Sequence, residues 1–298
     1  MDELPGDLPE AAGRRFAEGS FTSGLSVPDF AACLQMGLEP AGYVQGFCVM
    51  QWRWYGMGMS FGAFGPTGRA NGQGYSEAWQ CPHGYVSAEH RGWGQNYEQT
   101  WIEDAWREGF SSSYERMLEE ARTLGAHGIV GVVDASSPLG DLGLLEFRVQ
   151  GTAVRVIDGP PPIGDRPWTT YLAGQRLGKL IEAGYAPVSV AAAISSVRVW
   201  ANCITEYLTE GSTTNWGQVA GAEIEQTAKA HMAVRRIARE RVRAALGGDS
   251  LHGASLATTE RELGQGDAEL QCILRGNQVR RFKDFDPLAA PRPTVRLS

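Results

Sequence analysis

Lysine is nearly missing from this chain of 298 residues. Only Lys179, Lys229 and Lys283 occur, so 24 of the 27 cationic residues are arginine. Asp and Glu number 34 and the net charge is −7. A generic nucleic-acid binder needs surplus cations to displace counterions, so nucleic acid is not an expected partner. The arginine bias itself fits GC-rich codons and carries no mechanism. Long hydrophobic runs are missing too. The closest, residues 186–197, is broken by Ser189, Ser195 and Ser196, short of the roughly 18 apolar residues that mark a membrane span. The acidic start MDELPGDLPEAAG has no basic residue before Arg14 and no apolar segment behind it, so no secretory signal is expected. The cysteines are few and scattered: Cys33, Cys48, Cys81, Cys203 and Cys272, with no C-x-x-C. That excludes a disulfide framework. A reduced, cytoplasmic protein is the expectation.

Catalytic signatures are also lacking. There is no H-E-x-x-H, no phosphate-binding P-loop and no G-x-S-x-G elbow. Gly56, Gly58 and Gly62 do not have dinucleotide spacing, and read as loop glycines. Ser111, Ser112 and Ser113 have no nearby histidine to act as base, and read as a helix start or a solvated cluster. His127 and His231 are lone, and read as surface or structural groups. Nothing here points to an enzyme, although a site formed between subunits would be hidden in one sequence.

Glycine is in surplus, with 38 residues, about 13% against a typical ~7%. Part of the surplus belongs to an internal repeat. Residues 20–40 (SFTSGLSVPDFAACLQMGLEP) align with 167–187 (PWTTYLAGQRLGKLIEAGYAP) at an offset of 147. Each copy reads as a short strand, a helix, a glycine at Gly37 or Gly184, and then Pro40 or Pro187. Ser26 is positioned to cap the first helix, with Asp29 as its partner. The glycines suit a left-handed C′ residue. Strands are expected over 41–54 and 188–202. Later, Gly125 and Gly131 align with Gly247 and Gly253 at an offset of 122, and 151–155 (GTAVR) align with 276–280 (GNQVR) at 125. Two long helices are expected. One buries Tyr114, Met117, Leu118, Ala121 and Leu124, the other Val234, Ile237, Ala238, Val242 and Ala245. A strand pair closes each unit, 128–135 with 144–157 and 251–258 with 269–281.

These residues carry a resemblance. Phe21-Thr-Ser23, the Gly37…Pro40…Gly42 turn, A-x-x-L-G-A-x-G-I-V-G-V at 121–132 and GTAVR at 151–155 together look like the YbjQ-like family of heavy-metal-binding domains. The match is good over 20–157 outside 55–100, and weaker over 167–283. His127 and His252 stand where the family pattern has other residues. The resemblance implies an α+β fold in two tandem repeats, each a small antiparallel sheet packed with helices. It also implies assembly into a ring, pentamer-like. The division expected is an N-terminal tail (1–19), repeat 1 (20–157) with an insertion at 55–100, a Pro-rich linker (158–166), divergent repeat 2 (167–283) and a C-terminal tail (284–298).

The insertion holds ten glycines between Tyr55 and Thr100, and six of the nine tryptophans lie between Trp52 and Trp106. Glycine allows tight turns and tryptophan gives contact area with few rotors, so the segment reads as a protein-binding or assembly loop, or as a surface loop folded back on its own domain. It also contains Cys81, His83 and His90, donors suited to a soft divalent metal such as zinc. Their spacing is no recognised zinc motif and no fourth ligand is evident. Arg235, Arg239 and Arg243 form a ridge at spacing four, read as a solvated helix face or as a docking face for an acidic partner. The function expected is a non-enzymatic, homo-oligomeric scaffold or binding protein built from YbjQ-like domains and acting through the insertion. The alternative is a heavy-metal-binding protein using Cys81, His83 and His90.

Overall fold

The computed structural model describes residues 22–51, 79–80, 86–87, 94–139, 144–157, 166–210, 223–264 and 266–283. Over these residues the protein is α+β, with two four-stranded sheets, a two-stranded ladder and no closed barrel. Helix α1 (Val27–Gln35) leads into β1 (Leu38–Gln51). Strands β2 (Trp79–Gln80) and β3 (Val86–Ser87) pair with each other. Strand β4 (Gln95–Glu98) precedes the long α2 (Thr100–Thr123), then β5 (Gly128–Leu139) and β6 (Leu144–Val156). The second half runs β7 (Trp168–Thr169), α3 (Gly174–Glu182), β8 (Tyr185–Trp200), α4 (Cys203–Glu210), α5 (Glu225–Ala245), β9 (Ser250–Gly264) and β10 (Asp267–Arg281). The sheets are ordered β1-β6-β5-β7 and β4-β8-β10-β9. All pairs are antiparallel except β7 on β5.

The registers of the two sheets coincide. Pro40 faces Val154 and Gly42 faces Ala153, with a bulge between; Pro187 faces Val279 and Ser189 faces Gln278, also with a bulge between. Val130 faces Thr152 and Val133 faces Gln150, while His252 faces Asn277 and Ser255 faces Arg275. Each of these second bulges holds a left-handed glycine, Gly131 at φ 61° and Gly253 at φ 62°. A residue with a Cβ would be strained there.

Local signals behave as the residues dictate. Ser26 Oγ accepts the Asp29 N–H at 3.3 Å and donates to the Asp29 carboxylate at 2.6 Å. Gly37 and Gly184 end α1 and α3 with φ of 71° and 83°. β1 and β8 begin directly after them, three residues before the expected starts, because Pro40 and Pro187 fall beside bulges that tolerate a missing N–H. Residues 22–25 are not a strand, unlike β7 at the matching place. Residues 95–100 are not loop either. They form β4 and the start of α2, and β4 pairs with β8 of the other half.

Helix α2 packs on the first sheet through Tyr114, Met117, Leu118 and Ala121 against Val44, Ile129 and Val149, and Val190 of β8 joins this core. Helix α5 packs on the second sheet through Ala230, Val234, Ala238 and Val242 against Val197, Leu270 and Cys272. Ala245 is exposed, and Leu246 completes that face instead. Ser113 does not start a helix. It is fully buried in mid-α2, and its hydroxyl donates to the carbonyls of Gly109 and Phe110 at 2.9 Å each.

The approach of α2 to β1 depends on Gly46. A Cβ there would sit 1.9 Å from the Ser113 carbonyl oxygen and 2.7 Å from the Met117 nitrogen. Both are helix backbone, so neither can rotate away. Gly46→Ala is expected to lose about 2–3 kcal/mol of stability, read as a lower midpoint in a urea melt. The free edge of β1 is covered by the same helix: the Glu120 carboxylate accepts the Gln45 N–H at 2.9 Å and Arg116 donates to the Phe47 carbonyl. Covering an edge strand in this way blocks stray pairing.

Candidate functional site

The built feature of this molecule is the junction between its halves. Residues 168–172 lie along the outer edge of β5. The Trp168 N–H donates to His127 O at 3.2 Å and the Thr170 N–H to Ile129 O at 3.0 Å. In return, the Val132 N–H donates to Thr170 O and the Gly131 N–H to Leu172 O, each at 3.0 Å. The Trp168 indole lies over Gly128, where an added Cβ would come within 2.1 Å of the ring.

This segment is held from its own half by Asn277 of β10, which is 1% exposed. The Asn277 amide oxygen accepts from Thr170 Oγ1 and from the Tyr171 N–H at 2.8 Å each, and its NH2 donates to His252 O at 3.1 Å. Thr169 Oγ1 accepts the Val190 N–H at 2.9 Å and lies 2.7 Å from the Tyr114 hydroxyl of α2. In the first half, residues 23 and 24 are held the same way by Thr152. The Gly24 N–H donates to Thr152 Oγ1 at 3.1 Å, with Ser23 Oγ at 3.5 Å. Alongside, α1 meets α3 so closely that a Cβ at Gly174 would lie 2.3 Å from Asp29 Cα.

Buried charges also cross the junction. Asp134 of β5, its side chain 4% exposed, pairs with Arg275 of β10 at 2.7 Å. Burial, with Asp134 alongside, pushes the Tyr171 phenol far above its ordinary range, so it stays protonated. Glu103 of α2 is 1% exposed, accepts the Ser196 N–H of β8 at 2.7 Å and pairs with Arg241 of α5. Arg241 also reaches Glu98 at 2.6 Å and the Ile194 carbonyl at 3.1 Å. Burial raises the Glu103 carboxyl above its usual value, against the lowering by the Ser196 N–H and Arg241.

The residues singled out from sequence are placed as follows. Cys81, His83 and His90 lie outside the described residues, as do Gly56, Gly58, Gly62 and the tails at 1–19 and 284–298. Among the described residues, no three His, Cys, Asp or Glu side chains are grouped to hold a metal. His127 is structural: its Nδ1 accepts the Val156 N–H at 2.9 Å. His231 lies 3.3 Å from Glu260. Trp106 is buried against Phe110 and Phe147 in the core. Arg236 pairs with Glu240 one turn on, while Arg235, Arg239 and Arg243 are exposed. Among the described residues, no helix is long and apolar enough to cross a membrane. Sequence reasoning missed the junction residues Asn277, Glu103 and Arg241. Only the alignment of Ser23 with Thr170, and of Thr152 with Asn277, held a trace of the first.

Among the described residues, exposed apolar side chains and a bare strand edge lie near the junction elements. Val27 is 83% exposed on α1, and Phe47 and Val49 are 40% and 54% exposed on the outer face of β1. Strand β9 is 15 residues long and pairs only with β10 among the described strands.

No family model matches the chain. The chain is 27% identical over 231 residues to an encapsulin nanocompartment protein of Mycobacterium tuberculosis (strain ATCC 25618 / H37Rv), a match that covers 76% of this chain and 72% of that protein. This corrects the functional expectation. A binding scaffold of YbjQ-like domains acting through residues 55–100, and its heavy-metal-binding alternative, are both replaced by similarity to a compartment protein. The sequence pattern misled because Gly-flanked turns and a short helix–strand unit specify a local packing and not a use for it.

Proposed function

We propose that this chain is a building block of a protein nanocompartment and assembles with further copies of itself. The observation that carries the proposal is the similarity to a nanocompartment protein over three-quarters of the chain. The role proposed is structural, with no catalytic step assigned to the chain. Its two halves are two copies of one unit, a reading supported by the shared element order, the matching bulges and the matching Thr152 and Asn277 contacts. Contacts that join one unit to the next lead to rings when the rotation closes, and a compartment is built from such closed contacts. The cytoplasm is its proposed location, where thiols such as those of Cys33, Cys48 and Cys272, all buried, stay reduced.

Light scattering on the purified full-length chain tests this. The expected result is a particle of many copies, visible as a hollow outline in negative stain. A mass of 32.3 kDa, that of one chain, at every concentration would overturn it.

A further inference from the structure

We infer that the junction inside one chain is repeated between chains: residues 22–25 of one copy lie as a parallel strand on the outer edge of β9 of the next copy. This rests on the reading of two like units in a self-assembling chain, and goes beyond it by naming the surfaces that meet.

The argument starts from what the second half does to the first. Residues 168–172 are fixed to their own sheet by Asn277 and lie along β5 of the other half through four backbone hydrogen bonds. Residues 22–25 stand at the matching place in the first half, fixed to their own sheet by Thr152. Their outer side lies against no strand among the described residues, and Thr22 and Gly24 are exposed. Conversely, β5 has its edge filled, while the matching edge at residues 250–254 of β9 has, among the described residues, no backbone partner beyond β10. Among the described residues one such socket and one such plug are thus left over, at opposite ends of the same internal pattern. A long bare strand edge is a template for pairing. A contact between unlike surfaces propagates from copy to copy.

Three of the exposed apolar side chains, Val27, Phe47 and Val49, fall where this predicts. Val27 matches Gly174, which is buried against Asp29. Phe47 matches Ile194, 4% exposed beneath Trp106, and Val49 matches the fully buried Ser196. Positions covered inside the chain in the second half are bare and apolar in the first. The β9 glycine also corresponds: Gly253 repeats the left-handed bulge of Gly131, which turns the Gly131 and Val132 N–H groups outward to residues 168–172. By the same geometry the Gly253 and Ala254 N–H groups are offered to Leu25 and Ser23 of a neighbour.

Three variants of the full-length chain test it. Ala254→Pro removes one of the two outward donors. Val27→Arg places a charge on a residue 83% exposed, so the single chain still folds. Both are expected to convert particles into monomers, with the far-UV circular dichroism of Val27→Arg unchanged. The third arm mixes Thr22→Cys chains with Leu251→Cys chains, the pair that matches Thr169 facing Ile129. A disulfide-linked dimer is expected in the mixture and in neither variant alone, and its formation decides the matter if Ala254→Pro merely misfolds. If the wild type forms particles, yet the mixture forms no linked dimer and Val27→Arg assembles normally, the inference is overturned and the compartment reading stands. If the wild type never assembles, both fall.

Discussion

Arg241→Ala is expected to lose about 3–5 kcal/mol of stability at pH 7 and to recover part of it on acidification. Arg241 is the cation facing Glu103, a carboxylate 1% exposed. Removing one partner of a buried ion pair strands the other charge, which is why the cost reaches that range. The Ser196 N–H would be the only remaining contact to that carboxylate among those described here. The pH dependence follows from direction alone. The folded Glu103 carboxyl already lies above its ordinary value because burial outweighs Arg241 and the Ser196 N–H, and loss of the arginine raises it further. Between the unfolded value of about 4.3 and the raised folded value, the folded state binds more protons. Stability in this window therefore falls as pH rises, and the penalty is absent below it. The deficit of Arg241→Ala against wild type should shrink between pH 7 and pH 5 in urea melts. Adding Glu103→Gln to Arg241→Ala should restore most of the loss at pH 7. A deficit that does not change with pH would show that Arg241 acts through its packing and its bond to Ile194 instead.

Asn277→Ala is expected to cost about 3 kcal/mol and to release residues 168–172 from β5. Three groups lose their partner at once: the Thr170 hydroxyl, the Tyr171 N–H and the His252 carbonyl. Each buried group left unsatisfied costs about 1–3 kcal/mol. Hydrogen exchange gives the direct readout, because the Gly131, Val132 and Thr170 amides are bonded across this contact and should lose protection first. Thr152→Ala removes the matching contact in the first half and should cost about 1 kcal/mol or less, since Gly24 is exposed and its N–H can turn to water. Equal effects of the two substitutions would mean that docking onto β5 adds nothing to the Asn277 contact.

Much of the architecture was legible in the residues. Ser26 with Asp29, Gly37 with Gly184 and the apolar stripe of Tyr114, Met117, Leu118 and Ala121 are local signals, readable because capping, left-handed backbone and a 3.6-residue period each leave a short-range mark. The strand pairs after each long helix were legible for the same reason. The junction was not. Glu103 looks like any acidic residue in the first turn of a helix, and Asn277 like any polar residue of a strand. Their partners lie 93 and 106 residues away in the chain, a separation at which one sequence carries no pairing signal. Ser111-Ser112-Ser113 misled because a serine hydroxyl can return its hydrogen bond to its own helix, as Ser113 does. Strand β4 was hidden in a segment whose glycines and tryptophans read as loop.

The opening scarcities take their place in this picture. A chain with three lysines crosses its junction with arginines instead: Arg241 to Glu98 and Glu103, and Arg275 to Asp134. The planar fork suits several acceptors at once. By itself the sequence determined the α+β class, the succession α1, β1, α2, β5, β6 and its counterpart α3, β8, α5, β9, β10, and the aligned glycines, because propensity, capping and periodicity act over a few residues. Only the tertiary structure decided that β7 and β4 each join the sheet of the other half, and that one strand edge is filled while its counterpart on β9 is bare among the described residues. Those choices depend on burial and on hydrogen bonds between groups a hundred residues apart, which exist only once the chain has folded.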